Sequence, residues 1–219
     1  MLFRSTKDMV EKYYDQTALT FIVNHERPHA GTAVEHFMPG GPFAILPLRE
    51  PNSSSIVWTI PRKQSEIIKN LPASEFEYLV QRNFGDFLGK VELDGDIAAY
   101  PLKAYLTHKY FYERIVLIAD SAHIIHPLAG QGLNMGIKDI MALTLLVYEH
   151  GISSQILVEY ENLRRQDNKA MYLITDNLNR IFSNRSKILR HVRTTGIKVI
   201  NMLSPLKTRM IKYAMGKRF

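Results

Sequence analysis

The run IVLIADSAHIIHPLAGQGLNMG, residues 115–136, constrains this chain more than any other stretch. Five aliphatic residues without alternation, Ile115 to Ala119, end on a charged Asp120. A short run apolar on both faces reads as a buried strand of the parallel type. Glycines 130, 132 and 136 follow, and the spacing predicts a helix from about Leu133 to His150. That helix is apolar nearly all round through Ile137, Ile140, Met141, Leu143, Leu145, Leu146 and Val147, so it is expected to be buried. Gly151 is its expected cap. This order aims backbone N–H groups and the partial positive charge of a helix N-terminus at the surface. An anion, or a delocalised negative charge, fits there. Gly130 and Gly132 permit positive φ and close approach by a flat ligand. Asp120, at the end of such a strand, lies where open α/β sheets bind ligands and can accept hydrogen bonds from sugar-type hydroxyls. A plain strand–turn–helix connection has the same outline, and a glycine-rich loop alone is a weak signal.

The remainder divides by period. Residues 17–24, 32–37, 42–48 and 55–60 are short, rich in β-branched and aromatic residues, and separated by Pro, Gly, Asn and Ser. They predict an antiparallel sheet. Ser74 and Glu77 have capping-box spacing, opening a helix with Phe76, Leu79, Val80, Phe84, Phe87 and Leu88 on one face and Gly89 at its end. Asp94-Gly95 reads as a turn, and residues 96–102 as extended. From Ser153 helical spacing dominates. Ile156, Leu157, Tyr160, Leu163, Met171, Ile174, Leu178 and Ile181 form one apolar stripe. Ile188, Val192, Val199, Leu203, Leu206, Met210 and Tyr213 form a second, interrupted by Gly196 and Pro205.

Composition narrows the function classes. The chain has no cysteine, which leaves no disulfide framework and no thiolate chemistry. No apolar run approaches the length of a membrane span, and the amino terminus lacks the apolar core of a signal peptide. A cytoplasmic protein is expected. The net charge of +7 is concentrated at one end: residues 180–219 hold eleven Lys or Arg and no Asp or Glu. Such a segment is either a solvated helix face or a contact with anionic lipid headgroups at the inner face of a membrane. No nucleic-acid-binding motif is present. The His25/His29 and His123/His126 pairs lack a third ligand and are expected to be loop and surface histidines rather than metal ligands.

HPLAGQGLNMGIKD resembles the signature of the ubiquinone-biosynthesis hydroxylases, FAD-dependent aromatic-ring monooxygenases with the para-hydroxybenzoate hydroxylase fold. His126, Pro127, Gly130, Gln131, Gly132, Asn134, Gly136 and Asp139 carry the match. IVLIADSAH and TDNLNRIFSN resemble flanking parts of the same family. The resemblance implies an α/β fold, α+β within this chain: an antiparallel substrate-domain sheet, a remnant of a parallel FAD-binding sheet, and C-terminal helices. It implies a substrate-domain sheet over 1–108, the C-terminal part of the FAD-binding domain over 109–151, and a helical region over 152–219. It also implies FAD as cofactor, NAD(P)H as reductant, and transfer of one oxygen atom from O2 to a polyprenyl phenol through the flavin C4a position. Asp120 would bind the ribityl hydroxyls. Pro127, Gly130, Gln131, Gly132, Leu133 and Asn134 would lie against the isoalloxazine ring. Phe43, Ile45 and Pro47 are candidates for lining the ring-substrate pocket, or for ordinary core. No side chain need act as nucleophile, because the cofactor carries the chemistry.

Two positions depart from the family's pattern. Ala119 stands where Gly is usual, and Ser121 where Ala is usual. The family's G-x-G-x-x-G unit, which grips the ADP half of FAD, has no counterpart in these 219 residues. The expectation is therefore a split or truncated enzyme whose N-terminal half, or other ubiquinone-biosynthesis proteins, come from elsewhere. The alternative is a non-catalytic, membrane- or partner-binding subunit unable to hold FAD.

Overall fold

The structure is a computed structural model that describes residues 9–183 and 201–214. It divides into two compact units, one comprising residues 14–102 with 181–185, the other residues 1–13, 103–180 and 186–219. Two strands of 17 residues each, β1 (Met9–His25) and β5 (Val91–Thr107), contribute to both.

In the first unit β1 is followed by β2 (Val34–Met38), β3 (Gly41–Pro47) and β4 (Ser53–Pro61). Neighbouring strands pair antiparallel in the order β2-β3-β4-β1. The register sorts side chains into two faces, because directly opposed residues share a face. One cross-strand row is His36, Phe43, Trp58 and Leu19; the next is Val34, Ile45, Ile56 and Phe21. Both rows point into a core closed by Phe76, Val80 and Phe84. The intervening row, Glu35, Ala44, Val57 and Thr20, faces the other way.

The core is covered by α1 (Arg62–Ile68), which the sequence pattern did not reveal, and α2 (Ala73–Phe84). Helix α2 does not use the expected capping box. Pro72 occupies the N-cap and Ser74 lies inside the first turn, while Glu77 accepts a hydrogen bond from the Leu93 backbone N–H at 3.1 Å. The proline ring carries no acceptor atom, so no side-chain cap is made. The helix ends at Gly85, with φ 81°, rather than at Gly89, which leaves Phe87 and Leu88 beyond it. Asp94-Gly95 is no turn: both lie within β5, where Gly95 takes φ 82° without ending the strand.

In the second unit, the expected buried parallel strand at 115–119 is not formed. Ile115–Val116 (β7) pairs antiparallel with Phe111–Tyr112 (β6), and Ile115 is exposed. Residues 119–121 then form a single 3-10 turn. His123–Ile124 (β8) pairs antiparallel with the end of β5. Helix α3 (Gly132–His150) has the expected bounds, and Gly151 caps it with an N–H bond to the Val147 carbonyl. Its expected burial is wrong. Leu133 is 76%, Met141 66% and Tyr148 86% exposed, whereas only Met135, Gly136, Asp139 and Leu146 are buried. One apolar flank therefore lacks a covering element within this unit.

Helix α4 (Ser154–Phe182) also corrects its expected stripe. Its buried seam is Ile156, Tyr160, Arg164, Asn168, Met171, Thr175 and Asn179, while Leu163, Ile174 and Ile181 are exposed. Four of the seam's seven residues are polar, and a polar residue at this depth needs a partner. The last helix described is α5 (Ser204–Ala214). Ile188, Val192 and Val199 of the second expected stripe, and most of the basic segment, lie outside the described residues.

Candidate functional site

Three short pieces of the second unit build the site: the 119–121 turn, the 127–130 turn, and the first turns of α3. Ala119 takes φ 51°, a left-handed conformation that L residues other than Asn and Asp seldom adopt. Glycine would adopt it freely, so the departure from the family's usual residue carries a conformational cost. Its methyl group also determines the neighbour. A Cβ built on Gly136 would lie 2.8 Å from the Ala119 Cβ, so α3 needs glycine there to approach the turn. This contact brings the Asp120 turn beside the opening of α3.

The turn is held from several sides. The Ser121 hydroxyl donates to the Ile118 carbonyl at 2.6 Å and accepts from the Ile118 N–H at 2.9 Å. The Tyr105 hydroxyl donates to the Asp120 carbonyl. The Ala119 N–H donates to Asp139 Oδ2 at 2.9 Å. With its backbone so fixed, Asp120 is exposed.

His126 opens the second turn. It is fully buried, and Nδ1 accepts the Leu128 N–H at 3.2 Å. Burial pushes its pKa down to about 4, opposed in part by the Asp176 charge and reinforced slightly by Lys12, so the ring is neutral at pH 7. A neutral ring is required, because a protonated Nδ1 could not accept. Gly130 ends the turn in the left-handed region at φ 59°. Pro127, Gly130, Gly132, Leu133 and Asn134 are exposed, and nothing lies within 4 Å of a Cβ built on Gly130 or Gly132. Asn134 donates to the Gln131 side-chain oxygen at 3.1 Å, tying the two residues across the helix start. The result is an open cradle of glycine backbone at the N-terminus of a 19-residue helix, with a carboxylate beside it.

The expected substrate residues lie in the other unit. Phe43 and Ile45 are buried in its core, Phe43 against Trp58 at 5.8 Å between ring centroids, and Pro47 is half-buried. The alternating residues, Ala44 and Leu46, point to the opposite face with Glu35 and Ile22. Part of the Glu35 side chain reaches solvent, yet burial of its carboxyl raises its pKa to about 7. Nothing in the sequence pattern marked Glu35 beyond an acid within an alternating strand. The paired histidines are not at the surface as expected: all four are buried, each held by hydrogen bonds, His25 with the Arg27 carbonyl and Ser54, His29 with the Leu48 and Glu50 carbonyls, and His123 with Asp139.

Fold and cradle define a chain of a flavin-binding class, and a family match makes the assignment. Residues 6–173 match the model of the FAD binding domain family, and the chain belongs to that family. Among curated relatives, the ubiquinone hydroxylase UbiL of Rhodospirillum rubrum is 41% identical over 216 residues, covering 93% of this chain and 48% of that protein. The 3-demethoxyubiquinol 3-hydroxylase of Escherichia coli is 31% identical over 209 residues, covering 93% and 53%. The chain thus spans about half the length of the curated relatives it matches. The crystal structure of p-nitrophenol 4-monooxygenase PnpA from Pseudomonas putida superposes with a TM-score of 0.72 at 15% identity, over 94% of this chain and 54% of that one, and shows the same fold.

The cradle fits a flavin. Glycine backbone without Cβ atoms admits a flat ring, the helix N-terminus favours the negative charge that a reduced ring bears at its N1–C2=O edge, and an exposed carboxylate suits a polyhydroxyl arm. No helix among the described residues is long and apolar enough to cross a membrane.

Proposed function

We propose that this chain supplies the flavin-facing half of an aromatic-ring hydroxylase acting on a polyprenyl phenol in ubiquinone biosynthesis. The observation that carries the reading is the open cradle at Gly130–Asn134 beside Asp120, in a chain of the FAD-binding family. Bound there, FAD reduced by NAD(P)H supplies the oxygen-transfer chemistry. The chain's own residues do the rest. Asp120 accepts hydrogen bonds from the ribityl hydroxyls and fixes the arm. The backbone of Gly130, Gln131, Gly132, Leu133 and Asn134 lies against the ring, with the α3 N-terminus stabilising negative charge on it. Pro127 shapes the turn that leads into this backbone. In the other unit, Phe43 and Ile45 back the β3 wall from inside, Pro47 ends it, and Ala44 and Leu46 give it an apolar outer surface for a ring substrate.

The exposed flank of α3 supports a protein partner in this reading. Met135, Ile140, Met141, Leu145, Leu163 and Met171 line a groove of about 650 Å³ between α3 and α4. Isolated apolar residues on a surface need no explanation, but a continuous flank of this kind marks an interaction site. Its proposed occupant is the remainder of the family's fold, which supplies the grip on the ADP half of FAD. The basic residues Lys207, Arg209 and Lys212 of α5 belong to the segment proposed to rest on anionic lipid.

The same apolar flank favours a second reading, a partner-binding subunit without flavin. Reconstitution separates the two. The chain is expressed with a polypeptide carrying the other half of the Rhodospirillum rubrum relative, and the pair is purified. Yellow protein that hydroxylates a polyprenyl phenol with NADH or NADPH is the expected result. A stable but colourless pair would favour the second reading.

A further inference from the structure

The buried seam of α4 converges on a single carboxylate. Asp139 Oδ1 accepts from Arg164 Nε at 2.7 Å and from Asn168 Nδ2 at 3.3 Å. Asp139 Oδ2 accepts from His123 Nε2 at 2.7 Å and from the Ala119 N–H at 2.9 Å. Asp139, His123, Arg164 and Asn168 are all buried. The donors are themselves held by further bonds. Arg164 Nη2 donates to Asn168 Oδ1 at 3.0 Å, Arg164 Nη1 donates to Asp167 at 2.8 Å, and Asn168 donates to the Tyr110 hydroxyl at 3.2 Å. One carboxylate therefore joins β8, α3 and α4 to the backbone of the turn that presents Asp120.

Position in the chain explains why a charge is used. Ala119 holds a left-handed φ that its side chain disfavours. A bond from its N–H to an ionised acceptor is stronger than one to a neutral acceptor, and so opposes relaxation of the turn. Burial would push the Asp139 carboxyl up, but the His123 and Arg164 hydrogen bonds outweigh it and hold the pKa below the usual range. The charged and titratable groups facing it are His123 from β8, Arg164, Asp167 and Tyr160 from α4, and Tyr110.

We propose that Asp139 is a positioning residue for the flavin half-site: through the Ala119 N–H it locks the turn that aims Asp120 at the ribityl chain. Asp139 touches no ligand itself. The role rests on the proposed flavin-binding reading, and the two can fail separately.

The test uses ¹H–¹⁵N spectra and amide exchange of the whole chain. An amide proton donating to a carboxylate resonates downfield. Asp139→Asn is expected to move the Ala119 amide upfield and speed its exchange at least tenfold, with the amides of Leu19, Phe21 and Ile56 unchanged. His123→Gln leaves the Arg164 bond in place and is expected to speed Ala119 exchange about threefold. It should also raise the pH at which the Ala119 shift titrates, because one of the groups that depress Asp139 is gone. That midpoint is a readout which loss of packing alone would not move. If Asp139→Asn does not fold, His123→Gln decides. The proposal is overturned if the Ala119 amide is unmoved in the folded variant, if all amides accelerate equally, or if the midpoint stays put. Riboflavin titration separates the layers. Wild-type chain that binds none while Ala119 responds as expected would defeat the flavin reading and leave the lock standing. Equal riboflavin binding by wild type and Asp139→Asn would defeat the positioning role and leave the flavin reading standing.

Discussion

The two units of this chain are held together by opposite means. Residues 14–102 enclose an apolar core of Leu19, Phe21, Phe43, Ile56, Trp58, Phe76 and Phe84, closed on its helical side. Residues 103–180 have smaller apolar clusters and rely on a buried charged network, with apolar surface left over on α3. The first arrangement is non-directional and tolerates its surroundings. The second is directional, fixes particular atoms, and depends on the charge of its members. The ligand-positioning turns belong to the second. Rigidity where geometry matters comes here from a satisfied polar network, whereas the apolar core supplies bulk stability.

The largest expected effect tests the apolar half. Phe43→Ala should cost about 3–5 kcal/mol, measured by urea unfolding, because it removes a fully buried ring from the core. A loss below about 1 kcal/mol would contradict the assignment of Phe43 to core. Gly136→Ala should come next, costing about 1–3 kcal/mol through overlap with the Ala119 methyl. Ala119→Gly should recover most of that loss, since it removes the colliding methyl and relieves the left-handed φ. An uncoupled pair in the double-mutant cycle would mean that α3 and the turn do not meet as described.

Acid should separate the two units by sign. His126 has a folded pKa of about 4 against its ordinary 6.5, so its contribution is complete above 6.5 and fades as pH falls toward 4. Asp139, depressed below 3.8, is lost at still lower pH, when protonation removes the charge that Arg164 requires. Glu35 runs the other way. Its folded pKa, about 7 against 4.5, means that its contribution is complete below 4.5 and lost as pH rises through 7. Glu35→Gln should therefore raise the Tm at pH 8, by less than the full shift implies because solvent reaches the side chain, and leave it unchanged at pH 5. Amide protection within 103–180 should fall between pH 6.5 and 4 while that within 14–102 does not. Parallel loss in both regions would remove the distinction. The smallest effect should come from the surface of α3. Met141→Glu is expected to change stability by no more than about 0.5 kcal/mol. Light scattering should show less self-association, because the change breaks the apolar flank.

Runs rich in β-branched and aromatic residues, bounded by Pro, Gly, Asn and Ser, made strands β2, β3 and β4 legible to within a few residues, and the flanking glycine made the end of α3 legible. Two features were not. The run at 115–119 looks like a parallel strand because its composition is apolar, but the hairpin with Phe111–Tyr112 governs its pairing. The α4 seam is hidden from a sequence reading because Arg164, Asn168, Thr175 and Asn179 carry the composition of a solvated face. Arg164 and Asn168 are buried by partners as distant in sequence as Tyr110 and Asp139. For the candidate site, the glycine loop and Asp120 could be picked out from sequence because backbone freedom and a lone acid have a local signature. Asp139 was visible only as one position of a matching motif, since a hub is defined by what folds around it.

Flavin titration tests the central claim most directly. Riboflavin and FAD are added separately to the purified chain, and quenching of flavin fluorescence is followed in the wild type and in Asp120→Ala. A half-site that grips the ring and ribityl arm should bind both with similar, weak affinity, and Asp120→Ala should weaken both at least tenfold. Absence of quenching by either flavin, or equal binding by Asp120→Ala, would contradict the account.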